Sequence, residues 1–95
     1  MKKYEMMCIL TPNLEEDELK KTSEKIYGTI SKLEGKIEKI EKQGRKKLAY
    51  PINKFREGYY LLIKFEMSPD KINELERMSN ITEGIIRHLI TRHEE

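Results

Sequence analysis

The chain has 95 residues, 38% of them charged, with a net charge of +2 and a mean hydropathy of −0.77. That length suits one domain, residues 1–95, whose core buries roughly 60–70% of the unfolded surface, and no apolar run approaches the roughly 20 residues a membrane helix needs. Cys8 is the one cysteine, which excludes an intramolecular disulfide and a cysteine-based metal cluster; nothing resembles a signal peptide, so a cytoplasmic protein with no membrane partner is expected.

Residues 3–10 alternate, with Met6, Cys8 and Leu10 opposite Glu5, Met7 and Ile9, as in a strand with one buried face. After Thr11-Pro12, Asn13 is placed to cap a helix, with Glu16 three residues on and the acids at 15–18 facing the positive end of the helix dipole. Leu19, Ser23, Ile26, Ile30 and Leu33 form its apolar stripe, and Gly35 is the predicted stop. A second strand is expected from residues 36–43, with a bulge or bend at Gly44, continuing irregularly to Ile52. Pro51 cannot donate to a ladder, so this strand belongs at a sheet edge.

The third strand opens at Gly58 and runs through "GYYLLIKFEM". Ser68 and Pro69 then cap and start a short helix carrying Ile72, Leu75 and Met78, and residues 85–92 close the chain as a fourth strand. The order βαββαβ with right-handed crossovers predicts an α+β, ferredoxin-like sandwich: a four-stranded antiparallel sheet in order 4-1-3-2 with both helices on one face. Strand two is then an edge, as Pro51 requires. Cys8 and His88 fall on the helix-covered face, as a buried small hydrophobe and a core or rim histidine; only His93 is near enough to join His88 in holding a metal. Charged Glu5, Lys64, Glu66 and Arg87 cannot lie beneath helices, so Met7, Ile9, Tyr60, Leu62, Ile85 and Leu89 share their open face. An apolar patch of that kind marks a protein contact, unless long Lys and Arg stems cover it.

Charge is concentrated in residues 42–56, which hold six Lys or Arg and no acid, leaving net −4 on the rest of the chain. Such a segment suits an anionic partner, RNA above all. Arg45, Lys46 and Lys47 have the reach and charge for phosphates, the alternative being a solvated hairpin tip. Arg45, Arg56 and Arg87 add the capacity for bidentate bonds or stacking on bases. Tyr50 suits stacking on a base, contact with a protein, or packing beneath the loop. Lys2, Lys3 and Arg92 converge if strands one and four are antiparallel, forming a second basic patch or an ordinary polar sheet end.

"KYEMMCILTPNL", "RKKLAYPINKFREGYY" and "IIRHL" together resemble the family of the sixth small-subunit ribosomal protein of bacteria, over essentially the whole chain. The most specific part is Leu48-Ala49-Tyr50-Pro51-Ile52 followed by Lys54 and Gly58-Tyr59, with Tyr4-Glu5 and Arg87 in support. The resemblance implies the same sandwich and a structural role: binding small-subunit ribosomal RNA as a heterodimer with the eighteenth small-subunit protein. The chain departs from many members in having Gln43, not an aromatic residue, before Gly44. It also ends at Glu95, almost directly after the fourth strand, whereas relatives often continue into a tail, so the resemblance carries over no tail contacts with neighbours. The combined expectation is that Lys2, Lys3, Arg45, Lys46, Lys47, Lys54, Arg56, Arg87 and Arg92 meet RNA. Tyr50, Pro51, Ile52, Tyr60, Leu62, Ile85 and Leu89 meet the protein partner.

Catalysis is not expected. Acyl-phosphate hydrolysis on this fold needs backbone N–H groups and an arginine after the first strand, whereas "LTPNLEEDEL" offers four acids and neither Gly nor Arg. A copper- or zinc-carrier would want paired cysteines, so no cofactor or small-molecule substrate is expected. An RNA-recognition module of the same order is disfavoured because Glu57 precedes Gly58 and Lys64 stands where a stacking aromatic belongs. The remaining rival is a small ligand-sensing or homodimerising domain using the apolar sheet face.

Overall fold

A computed structural model describes residues 1–52 and 54–92. Strand β1 (Lys2–Leu10) buries Tyr4, Met6, Cys8 and Leu10 and leaves the residues between them half-buried. It is followed by α1 (Glu16–Lys32), β2 (Lys36–Ile52), β3 (Phe55–Met67), a 3-10 turn (Pro69–Lys71), α2 (Ile72–Asn80) and β4 (Ile85–Arg92). The strands pair antiparallel in the order β2-β3-β1-β4, which is the expected 4-1-3-2 read from the other edge. Pro51 lies on edge strand β2, as its missing donor demands.

The core lies between the sheet and the helices. Leu61, Ile63, Phe65 and Met67 of β3 meet Ile26 and Ile30 of α1 and Leu75 of α2, and Tyr4 stacks on Phe65 with centroids 5.8 Å apart. Full burial of each such side chain contributes about 1.5–3 kcal/mol, so it is chiefly this burial that holds the sheet against the helices.

Local signals were displaced in several places. The N-cap of α1 is Glu15, with no side-chain cap bond, so Asn13 does not start the helix. Leu14 packs against the core and Glu15 remains extended, which delays the first turn until Glu16. Glu16, Asp17 and Glu18 still occupy that turn, where the dipole favours them. At the other end Glu34, not Gly35, takes the left-handed conformation at φ 64°. Its N–H donates to Ser31 O and that of Gly35 to Ile30 O, at 3.0 and 2.9 Å, which closes a Schellman motif. Gly35 serves close packing instead: a Cβ there would lie 2.8 Å from Ile30 Cγ2 and Met67 Cε. Pro69 starts the 3-10 turn, not α2 itself, and the Ser68 hydroxyl donates to the Asp70 carboxylate and caps no backbone group.

The β2–β3 hairpin is longer than predicted. β3 begins at Phe55, three residues before Gly58, because Lys46↔Gly58, Lys47↔Glu57 and Ile52↔Phe55 continue the ladder. β4 spans the predicted residues, but Ile85 lies on the opposite face from the one alternation implied. The register steps from Ile9↔Arg87 to Leu10↔Ile85, leaving Ile86 as an extra residue. This bulge reverses the alternation, so Ile85 shares the face of Leu10 and packs against the core.

Candidate nucleic-acid and partner interface

The basic triplet at 45–47 is divided between the faces of the sheet. Arg45 pairs with Tyr59, on the helix side, and its Nη2 donates to Pro12 O at 3.0 Å. An arginine therefore does reach the loop after β1, but it comes from β2 and is bonded to a carbonyl. Lys46 pairs with Gly58 and faces the open side, where its Nζ donates to Gln43 Oε1 at 3.2 Å and lies 5.5 Å from the Tyr60 ring centroid. Gln43, which in the sequence is only a departure from the family pattern, thus holds Lys46. Lys47, opposite Glu57, returns to the helix side.

Beyond the triplet the hairpin folds over the open face. Gly58 is buried, and a Cβ on it would collide with Ile9 Cγ2 and touch Leu48. The glycine is required by this close approach. Tyr50 is 60% exposed, and its hydroxyl accepts a bond from Arg87 Nη1 at 3.2 Å. Residues expected to meet different partners, on opposite edge strands, are bonded to one another. Pro51 is exposed, Ile52 half-buried, and exposed Lys54 and Arg56 continue the hairpin, with Lys54 at φ 71°.

Cross-strand rows order the open face. Glu41, Leu62, Met7 and Leu89 form one row, and Gly44, Tyr60, Ile9 and Arg87 the next. Met7, Ile9, Tyr60 and Leu62 are half-buried, while Leu89, on the outer strand, is 62% exposed. The adjoining row is charged: Lys64 Nζ lies 3.7 Å from Glu5 Oε1. Lys39 lies 2.9 Å from Glu41 and holds that carboxyl below its usual range by hydrogen bond and charge. The apolar strip is thus bounded by ion pairs along one side and by the hairpin cations at the end.

Lys2, Lys3 and Arg92 gather at the other end of the sheet, through Lys3↔Glu66 and Tyr4↔Arg92. The nine residues of β1 separate this patch from the hairpin by about 27 Å at about 3.4 Å per residue. The sequence does not disclose that separation, or that Leu48 covers Gly58.

Cys8 is fully buried, and burial pushes its thiol up to about 12, out of reach of nucleophilic chemistry. His88 is opposite Cys8 and half-buried, in a recess with Ser79 and Asn80; His93 lies outside the described residues. Among the described residues no three His, Cys, Asp or Glu side chains are grouped to hold a metal ion, and no helix is long and apolar enough to cross a membrane.

The open sheet face thus carries an apolar strip that ends beside a cation-rich hairpin. Residues 3–92 match the family model for Ribosomal protein S6, and the chain belongs to that family. Among its relatives are the small ribosomal subunit proteins bS6 of Clostridium novyi and Halalkalibacterium halodurans, 45% and 46% identical, the alignment covering all of both chains in each case. It is also similar to the crystal structure of 30S ribosomal protein S6 from Thermotoga maritima, with a TM-score of 0.92 and 38% identity over 97% of this chain and 87% of that one. The resemblance drawn from the sequence and the fold class both hold. The family is one of structural proteins of the small subunit of the cytoplasmic ribosome, not of enzymes.

Proposed function

We propose that this chain acts as one domain that binds small-subunit ribosomal RNA together with the eighteenth small-subunit protein. The observation that carries the reading is the apolar strip Leu62–Met7–Leu89, continued by Tyr60 and Ile9, lying beside a hairpin whose cations project to both sides of the sheet. A partner on the open face covers the strip and meets Lys46, Tyr50 and Arg87 at its border. RNA meets the helix-side cations Arg45 and Lys47, with Lys54 and Arg56 at the hairpin. Phosphate attraction alone positions a protein with little specificity, so recognition belongs to the pair.

Leu62→Glu tests the reading. In the free protein Leu62 is half-buried on an open face, so the substitution leaves the fold largely intact; beneath a partner the carboxylate is desolvated and costs several kcal/mol. Titration with the eighteenth protein should show loss of the heterodimer, and titration of the pair with a small-subunit RNA fragment a matching loss of affinity, while circular dichroism stays unchanged. A mutant that pairs with wild-type affinity places the partner elsewhere. Self-association of the wild type through this face, without RNA affinity, would favour the homodimerising alternative.

A further inference from the structure

One segment of β2 leaves the ladder and crosses the hairpin end of the open face. Between the pairs Lys47↔Glu57 and Ile52↔Phe55, β2 carries Leu48, Ala49, Tyr50 and Pro51 where β3 carries Arg56 alone. A strand with such an excess bends away from its partner. Leu48 Cδ2 lies 3.7 Å from where a Cβ on Gly58 would stand, a site that Ile9 Cγ2 also crowds, and the Tyr50 hydroxyl accepts from Arg87 Nη1 at 3.2 Å. Tyr50 and Arg87 belong to the two outer strands of the order β2-β3-β1-β4, three steps of about 4.8 Å apart, so their bond requires the segment to lie over β3 and β1. Both side chains are exposed and Pro51 supplies no backbone donor, so what carries the segment inward is two side-chain contacts, Leu48 with Gly58 and Tyr50 with Arg87.

We propose that residues 48–51 are a strap across the hairpin end of the open face, and that Tyr50 and Arg87 are its latch. Closed, the strap is an end wall for the apolar strip: it presents Tyr50 and Pro51, with Ile52 at its foot, to a partner seated on Leu62, Met7 and Leu89. Tyr50 and Arg87 are then positioning residues. Their bond fixes the wall before the partner arrives, which spares association the entropy of ordering four residues that the ladder does not hold. This inference rests on the open face being the partner surface. A latch acts as one unit, so removing either half undoes it, whereas two separate contacts with the partner would be lost independently.

The test uses the full chain, ¹⁵N-labelled, as wild type, Tyr50→Phe, Arg87→Met and the double variant. Both side chains are exposed, so the fold should persist; Tyr50→Phe deletes only the hydroxyl, and Arg87→Met keeps an apolar stem without donors. In the free chain, backbone order parameters of Leu48, Ala49 and Tyr50 should fall in each single variant and no further in the double, while those of β1 stay unchanged. The net worth of one hydrogen bond implies that each variant, single or double, pairs with the eighteenth small-subunit protein about 2-fold to 10-fold more weakly than wild type. Order parameters equal to those of wild type would overturn the latch, and a loosened strap with unchanged affinity would overturn the wall. Losses that multiply in the double variant would also overturn the proposal, because they would show two separate partner contacts. The free-chain measurements need no partner, and failure of the function proposed above shows differently: as a wild-type chain that does not pair, or that pairs undisturbed by Leu62→Glu.

Discussion

Cys8 shows how completely environment can decide the chemistry of one residue. With no exposed surface, its thiol is pushed from 9.0 up to about 12 by desolvation. The neutral form is therefore favoured in the folded chain: the contribution to stability is fully present below about pH 9 and is lost as pH rises toward 12, where the unfolded chain has already released the proton. The slope is at most about 1.4 kcal/mol per pH unit. Cys8→Ala removes this titration while creating a small cavity. The stability gap between wild type and variant, measured by urea unfolding, should accordingly narrow between about pH 8.5 and 10.5; a constant gap would show that Cys8 ionises as readily in the folded protein. At neutral pH the wild-type thiol should resist alkylation until denaturant is added.

At the scale of elements, the two ends most easily misread from sequence also give the clearest stability predictions. Glu34 holds a left-handed conformation at the end of α1 that glycine adopts without steric cost. Glu34→Gly should raise stability by up to about 1 kcal/mol in urea or thermal unfolding, net of the greater backbone entropy glycine brings to the unfolded chain. Loss of stability would argue against that conformation. In β4 the bulge at Ile86 separates Ile85 from Leu89 in role: Ile85 packs on the core and Leu89 is 62% exposed. Ile85→Ala should cost about 1–2 kcal/mol, less than a fully buried isoleucine, whereas Leu89→Ala should remain within about 0.5 kcal/mol. Equal costs would place both residues on one face and remove the bulge.

For the molecule as a whole, the question is how two basic clusters at opposite ends of one sheet act together. Arg45, Lys46 and Lys47 project from the hairpin, and Lys2, Lys3 and Arg92 converge about 27 Å away by strand geometry. Replacing the first three by Gln should flatten log K against log salt for an RNA fragment by about two to three units, at roughly 0.9 for each phosphate left without its cation. Because Lys46 lies on the open side, Arg45→Gln with Lys47→Gln should account for most of the change. Replacing Lys2, Lys3 and Arg92 should flatten the slope further and additively, since the clusters are too far apart to share partners. If the combined variant behaves like the hairpin variant alone, the second patch is a polar sheet end and not an RNA contact.

The order of elements was legible in the sequence because it rests on local periodicity: alternation in residues 3–10 and from Gly58 onward, a helical stripe from Leu19 to Leu33, and a proline that could only lie on an edge strand. The family was legible through the unusual run from Leu48 to Tyr59. What sequence could not disclose are relations between residues distant along the chain. A bulge is a mismatch between two strands, so the inward turn of Ile85 depends on Leu10 and Ile9 as much as on β4. The division of Arg45, Lys46 and Lys47 between faces follows from a register slip between Lys42 and Gly44, and the reach of Tyr50 to Arg87 from a hairpin that folds across two other strands. Residue types and spacing determined which groups could bind RNA or protein; strand register, a long-range property, decided which way each one faces.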